Sequence, residues 1–197
     1  MTRELLAEGA DIEARNNYHN TALPEACVLG YAEVVSVLLS HHADSNARGR
    51  SGWTPVSHCG WRDREAVLEL LLDCGRVDLE AKPYRFQDTP LAHAARLGRW
   101  SIAQLLIRHG ANTNVRDCIG YAVICAAAEQ SQTEGARLLL CHGADINSRS
   151  SNGRTPIMEA VHHGNWSLVH LLIKKRANPQ QKDHWGYPII CRAVMAN

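Results

Sequence analysis

The sequence predicts an all-α solenoid, in which short antiparallel helix pairs stack side by side and are joined by hairpin-like turns. Similar residues recur along the 197-residue chain at intervals of 33, 35, 33, 33 and 33, at the anchors Thr21, Thr54, Thr89, Ala122, Thr155 and Pro188. Each full copy holds a short stretch after its anchor and then a run that ends in three consecutive apolar residues. One such helix pair cannot bury its apolar face alone, so the copies are expected to stack.

The first helix of each copy has recognisable start and stop residues. Thr followed by Pro stands at 54–55, 89–90 and 155–156, where the Thr hydroxyl is expected to cap the helix and Pro suits its first position. Nine residues after the anchor, glycine predicts a left-handed helix end at Gly30, Gly98 and Gly164. Asp63 replaces this glycine in copy two and is expected to adopt the same conformation.

The second helix of each copy carries the main apolar face. Its apolar runs are 34–39, 66–72, 102–107, 136–140 and 168–173, and glycine is expected to end the helix at Gly75, Gly110 and Gly143. Copy two has two extra residues, which lie in the stretch 74–87. Copy four has Ala122-Val123 in place of Thr-Pro and Ser131 in place of the glycine, so it lacks a cap worth about 1 kcal/mol and is expected to be the weakest copy.

Composition narrows the classes of protein that the chain can represent. It is 45% hydrophobic, and its 21 basic and 20 acidic residues give a net charge of +1, which is typical of a folded soluble protein. Such a charge argues against nucleic acid or an anionic membrane as the main partner. The chain has neither a bilayer-spanning apolar segment nor a signal-peptide core, and its seven cysteines form no paired spacing. We therefore expect reduced thiols and a cytoplasmic or nuclear location.

Copies three and five carry the clearest resemblance to a known family. They read TPLAHAARLGRWSIAQLLIRHGANTN from Thr89 to Asn114 and TPIMEAVHHGNWSLVHLLIKKRANPQ from Thr155 to Gln180. This pattern resembles the ankyrin repeat. On that basis the chain is one array, with full repeats at 16–48, 49–83, 84–116, 117–149 and 150–182 and half repeats at 1–15 and 183–197. The phrase GRVDLEAK at 75–82 is also similar to ankyrin arrays of large fungal signalling proteins.

The final half repeat ends in an apolar helix that no later helix covers. The segment 189–195 reads IICRAVM, and terminal repeats normally have a polar outer face. Three interpretations stay open: the natural protein continues past Asn197, this end frays, or the helix pairs with another chain in an end-to-end self-association.

Candidate binding residues occupy the first helices and the tips of the turns. In ankyrin arrays these positions face a concave groove, and the resemblance implies the same arrangement here. Exposed aromatic and ionisable groups in such a groove are typical of a binding surface. The candidates are Trp53, His58, Trp61, Phe86, His93, Arg96, Tyr121, Glu129, Arg154, Glu159, His162, His163 and Trp185. The alternative for His58 and His93 is a half-buried packing role.

Other kinds of site are poorly supported by the pattern. Histidines occur in adjacent pairs, and the chain has neither HExxH nor a spaced Cys/His finger, so no metal or other cofactor is expected. Lys174, Lys175 and Arg176 are interpreted as a solvated helix end rather than a nuclear-import patch. The strongest enzyme alternative is general acid–base chemistry at Glu159, His162 and His163, because a carboxylate can orient an imidazole three or four residues later on a helix.

The resemblance therefore implies a non-catalytic module, an adaptor or scaffold that binds a protein partner through its groove. A regulatory or transcription-coregulator module within a longer protein is the first alternative, and the enzyme is the second.

Overall fold

The computed structural model describes residues 1–85 and 87–195, and its regular elements there are helices. They are α1 (Thr2–Ala7), α2 (Ala22–Leu29), α3 (Ala32–Ser40), α4 (Pro55–Arg62), α5 (Glu65–Asp73), α6 (Pro90–Arg96), α7 (Trp100–Arg108), α8 (Val123–Glu129), α9 (Thr133–Cys141), α10 (Pro156–His162), α11 (Trp166–Lys174) and α12 (Ile189–Met195). None of these helices is long and apolar enough to cross a bilayer.

The helices form two layers. The even-numbered helices, from α2 to α12, each pack against the next even-numbered one, and the odd-numbered helices from α1 to α11 do the same. Within a copy the two helices also pack on each other, as α6 does on α7. This arrangement confirms the predicted all-α solenoid.

The core runs along the space between the two layers. One leucine of the second helix recurs at the same position in every full copy, and it is at most 2% exposed each time: Leu38, Leu71, Leu106, Leu139 and Leu172. In copy four, every residue from Val123 to Ala128 is buried as well. Burial of these side chains removes apolar surface that a single helix pair would leave in water, so each copy depends on its neighbours.

The predicted threonine caps form in two of three copies. The hydroxyl oxygen of Thr54 accepts a hydrogen bond from the backbone N–H of Ser57 at 3.3 Å, and Thr89 does the same with Ala92 at 3.2 Å. The prediction is wrong at Thr155, whose buried hydroxyl hydrogen-bonds no described residue. Pro156 still fixes the first helical position there.

The predicted left-handed residues end the first helices. Gly30, Gly98 and Gly164 have φ of 79°, 72° and 66°, and Asp63 and Ser131 take the same place with φ of 58° and 57°. Asp and Ser both carry a Cβ atom, which makes this region costly, and Asp tolerates it better than most residues. Copy four therefore combines a strained helix end with an uncapped start at Ala122.

A row of hydrogen bonds, which we call the inter-copy ladder, joins successive turns after the second helices. In each rung a side-chain oxygen of one turn accepts from a backbone N–H of the next. The rungs are Glu13–Asp44 (2.7 Å), Asn46–Asp78 (2.7 Å), Glu80–Asn112 (2.8 Å), Asn114–Asp145 (2.8 Å) and Asn147–Asn178 (3.0 Å).

The ladder also shows how the fold absorbs the two extra residues of copy two. Bonded residues are 31 apart in three rungs, but 32 apart in Asn46–Asp78 and in Glu80–Asn112. One extra residue therefore falls within the span of each of these two rungs, and both rungs still form.

Candidate functional site

Asp side chains shape the tips of the turns that precede the first helices. Oδ1 of Asp117 accepts from the backbone N–H groups of Ile119 and Tyr121 at 3.0 and 2.8 Å. Asp183 holds Trp185 and Tyr187 in the same way, at 3.0 and 2.9 Å. Because the backbone of the tip is fixed, the side chains that it carries point from defined positions on the first-helix layer.

The surface formed by these tips and the adjoining first-helix ends is here called the tip face. Its residues are Tyr18, Arg50, Trp53, Trp61, Arg62, Arg96, Tyr121, Glu129, Arg154, His162, His163 and Trp185. Phe86, which the sequence also suggested, lies outside the described residues. The remaining candidates, His58, His93 and Glu159, lie beneath this face and support it.

An aromatic cluster forms the part of the tip face between copies one and three. The indole of Trp53 stacks on His58, lies 5.6 Å from Trp61 and meets His93 edge-on at 5.5 Å between ring centroids. The guanidinium of Arg62 lies 4.2 Å above the Trp61 ring, a distance at which cation–π attraction operates.

A cavity of about 350 Å³ opens beside this cluster, and we call it the aromatic slot. Its walls include Tyr18, Arg50, Trp53, His58 and Trp61. Tyr18 and Arg50 were not among the sequence-based candidates. Alignment of the tips at the repeat intervals could have identified Tyr18, because it occupies the same repeat position as the candidates Phe86 and Trp185.

His58 is packed beneath the tip face, where burial disfavours its charged form. Both of its ring nitrogens are buried, and no described residue hydrogen-bonds either of them. Burial lowers the pKa of His58 to about 4; the charge of Glu25 opposes this change, and that of Arg62 adds to it. The packing interpretation of His58 thus fits the structure better than a role as a charged contact.

A buried carboxylate, that of Asp88, holds the next part of the site together. The Asp88 side chain is 1% exposed, and its Oδ2 accepts from Arg96 Nη2 at 3.0 Å and lies 3.3 Å from His93 Nδ1. Its Oδ1 accepts from the backbone N–H of Cys118 in the next copy. Burial favours the neutral acid, but the hydrogen bonds from His93, Cys118 and Arg96 outweigh it, so the pKa of Asp88 is lowered.

A second buried carboxylate, that of Glu159, joins copies four and five. Glu159 is 2% exposed; its Oε1 accepts from the Tyr121 hydroxyl at 2.9 Å and its Oε2 from Arg154 Nη1 at 3.3 Å. Burial and the adjacent carboxylate raise the pKa of Tyr121 above its usual value. Glu159 therefore lies beneath the tip face, with Tyr121 and Arg154 hydrogen-bonded to its two carboxylate oxygens.

The tip face continues through copies three to five. A cavity of about 250 Å³ is lined by Arg96, Tyr121 and Glu129, among others. The Arg154 guanidinium lies 5.8 Å from the Trp185 ring, and Trp185 is 58% exposed. His162 and His163 are exposed and meet edge-on, with ring centroids 5.0 Å apart.

Two further features bear on function: candidate metal ligands and the exposed surface of α12. Within the described residues, no group of three or more His, Cys, Asp or Glu side chains could hold a metal ion. Helix α12 leaves Ile190 and Val194 67% and 73% exposed, which is the apolar surface that the sequence predicted. The three interpretations of this end that the sequence leaves open stay predictions.

Comparison with known families gives one consistent result. Family models described as "Ankyrin repeats (3 copies)", "Ankyrin repeat" and "Ankyrin repeats (many copies)" match residues 1–83, 86–118 and 124–173.

Similar proteins agree with these matches. Ankyrin repeat and KH domain-containing protein 1 of Homo sapiens is 40% identical over 99 residues, 50% of this chain and 4% of that protein. The mask-1 protein of Caenorhabditis elegans, also described by ankyrin repeats and a KH domain, is 31% identical over 166 residues, 83% of this chain and 6% of that protein. The chain thus spans only a small part of these relatives' length.

A solved structure supports the fold over nearly the whole chain. The ankyrin repeat domain of Bcl-3, described as a member of the IkappaB protein family, superposes with a TM-score of 0.79 at 26% identity. The match covers 98% of this chain and 86% of that domain.

Proposed function

Because this chain belongs to the ankyrin-repeat family, whose domains are generally protein–protein interaction modules, we propose that it is a non-catalytic adaptor or scaffold. It binds a protein partner through the concave groove expected from the repeat, and the tip face supplies the contacts of that groove. The observation that carries the proposal is the continuous tip face itself. Exposed Trp, Tyr and Arg side chains recur along it, and these residue types dominate the binding energy of protein interfaces.

The rigidity of the tip face supports the same proposal. Asp88 and Glu159 lie beneath the exposed side chains and hydrogen-bond residues of two neighbouring copies. A surface whose side chains are held in place before binding loses less conformational entropy when a partner docks. This arrangement suits recognition rather than turnover.

The enzyme alternative has less support. Both carboxylate oxygens of Glu159 already accept hydrogen bonds, from Tyr121 and Arg154, so this carboxylate is poorly placed to orient His162 as a base. The regulatory alternative is compatible with the proposal, since the relatives are far longer than this chain. We propose a cytoplasmic or nuclear location, because the seven cysteines have no paired spacing and reduced thiols are typical of these compartments.

The test compares side chains of the tip face with exposed side chains of the second-helix layer. Trp61, on the tip face, is 42% exposed, and Trp166, at the start of second helix α11, is 48% exposed. The tagged 197-residue chain captures partners from native extract. Each captured protein is then titrated with Trp61→Ala, Tyr121→Ala and Trp185→Ala, and with the controls Trp166→Ala and Lys174→Ala on α11.

The proposal expects at least one tip-face variant to weaken partner binding by more than about 2 kcal/mol. The two changes on second helix α11, Trp166→Ala and Lys174→Ala, should leave binding nearly unchanged. Binding that survives all three tip-face changes and is lost with Trp166→Ala or Lys174→Ala would contradict it.

A further inference from the structure

The aromatic slot differs from the rest of the tip face in its walls. Three exposed or half-buried aromatic rings, those of Tyr18, Trp53 and Trp61, meet at a cavity of about 350 Å³. This volume is near the lower end of the range of about 300–1,000 Å³ that is typical of ligand pockets. It suits one large side chain and its backbone, rather than a helix or a folded partner's whole face.

The slot also differs in its charges. The guanidiniums of Arg96 and Arg154 pair with the buried carboxylates of Asp88 and Glu159. At the slot, by contrast, neither Arg50 nor Arg62 lies within ion-pair distance of a carboxylate among the described residues, and both are exposed.

Glu25 is a carboxylate whose charge acts on His58 in the slot wall, and it is already hydrogen-bonded within its own copy. Oε1 of Glu25 accepts from the side-chain amides of Asn16 and Asn20, at 2.9 and 2.8 Å. Its carboxylate forms no ion pair with Arg50 or Arg62 within the described residues. The rim of the slot thus presents two positive charges that have no carboxylate partner in the described chain.

From these contacts we infer that the aromatic slot binds an acidic peptide segment that inserts one bulky apolar side chain. This inference rests on the proposed function, since it names the chemistry of a partner for one part of the tip face. The apolar side chain enters the slot and packs against the Trp53 and Trp61 rings that line it, and flanking carboxylates of the segment pair with Arg50 and Arg62. Charge-assisted bonds from arginine to carboxylate give such a contact both affinity and orientation.

A cationic ligand would fit the same rings less well. Aromatic rings attract ammonium groups, but the Trp61 ring is already covered by Arg62 at 4.2 Å. A second cation would approach two guanidiniums that repel it. The arginines therefore favour an acidic segment over a basic one.

The test is an unbiased selection with the full chain. A phage-displayed library of random 12-residue peptides is selected on the immobilised protein at low salt, and enriched peptides are synthesised. Their affinities are measured by fluorescence anisotropy for the wild-type chain and for Trp61→Ala, Arg50→Glu, Arg62→Glu and the control Trp166→Ala, each checked for an unchanged circular-dichroism spectrum. Trp53 is left intact, because its packing supports the fold.

The expected peptides carry Asp or Glu on both sides of a single Leu, Phe or Trp. Affinity should fall at least tenfold for Trp61→Ala and for each charge reversal, and stay unchanged for Trp166→Ala. Peptides whose acidic residues are exchanged for Lys should regain binding to Arg50→Glu.

The other outcomes overturn the inference and separate it from the proposed function. Basic or neutral enriched peptides, an absence of enrichment, or full binding to the slot variants would each contradict the acidic segment. If the peptides bind the slot variants as tightly as the wild type but lose binding with Tyr121→Ala or Trp185→Ala, the tip face still binds and only the slot inference fails. If binding is lost with Trp166→Ala alone, both fail.

Discussion

The imidazole of His58 stacks on the indole of Trp53, with ring centroids 5.4 Å apart and planes inclined by 24°. The stack leaves both imidazole nitrogens buried without a hydrogen-bond partner among the described residues. Protonation of this ring would place an unpaired charge in a buried site. The free energy of unfolding should therefore depend on pH through His58.

We expect the free energy of unfolding to fall as the pH drops below about 6.5. The pKa of His58 is lowered from 6.5 to about 4 in the folded chain, so below pH 6.5 the unfolded chain binds this proton first. Well above pH 6.5, His58 is neutral in both states and does not affect the free energy of unfolding. By pH 5, protonation of His58 in the unfolded chain lowers that free energy by about 2 kcal/mol. Urea unfolding at pH 7.5 and pH 5 measures it.

The control for His58 is His58→Phe, which keeps a ring on Trp53 but cannot titrate. This variant should be at least as stable as the wild type at pH 7.5 and should lose less stability between pH 7.5 and pH 5. An equal loss in both proteins would show that His58 is not the titrating group.

Asp88→Ala should destabilise the fold by about 2–3 kcal/mol. The change removes the buried acceptor of Arg96 and of the Cys118 N–H group, and a buried donor without a partner is costly. The matched control is Glu134→Ala, which removes an exposed ion pair with Arg137 at 3.2 Å and should cost less than about 1 kcal/mol. Similar losses in the two variants would contradict this ranking.

Ser131→Gly should stabilise the protein by about 1 kcal/mol. Ser131 holds φ of 57°, where a Cβ atom is strained and glycine is not. Gly164 occupies the equivalent place in copy five with φ of 66°, and a Cβ added there would have no atom within 4 Å. Gly164→Ser therefore tests backbone strain alone and should cost a similar amount.

The same strain predicts where the array opens first. Amide hydrogens between Tyr121 and Glu134 should exchange faster than those of the helices in copies three and five, because copy four lacks both its cap and its glycine. Ser131→Gly should slow this exchange. Uniform protection across the three copies would refute the weak-copy prediction.

Asn114→Ala should cost about 1 kcal/mol and broaden the urea transition. Its amide accepts from Asp145 N–H at 2.8 Å and donates to the Gly143 carbonyl at 3.0 Å, so the loss weakens the junction of copies three and four. The control is Asn112→Ala in the same turn; among the described residues, its side chain accepts one hydrogen bond, from the backbone N–H of Asn114. A transition equally broad in both variants would show that the rung does not couple the copies.

The sequence was sufficient for the fold because its repeat signals are local. Thr54 and Thr89 cap their helices, and Asp63 adopts the left-handed conformation that its place in the repeat predicts. Thr155 has the same residue types around it but no capping bond, since the cap depends on a side-chain torsion that the repeat pattern does not specify.

The site was harder to predict because its contacts cross between copies. Tyr121 and Glu159 are 38 residues apart in sequence and hydrogen-bond only when α8 and α10 pack. Asp88 accepts a hydrogen bond from the Cys118 backbone 30 residues later, and this contact gave no sequence signal. The candidate list thus included both Glu159 and His58 without indicating that they support the surface from beneath.

The inter-copy ladder has a mechanical consequence. Each rung links a copy only to its immediate neighbours, so a force applied to the two ends loads the rungs in series and the junctions should yield one at a time. Every released copy of about 33 residues would lengthen the chain by about 110 Å when drawn out. Pulled from its ends, the molecule should therefore extend in steps of nearly equal size, and the first step should come from the junction beside Ser131.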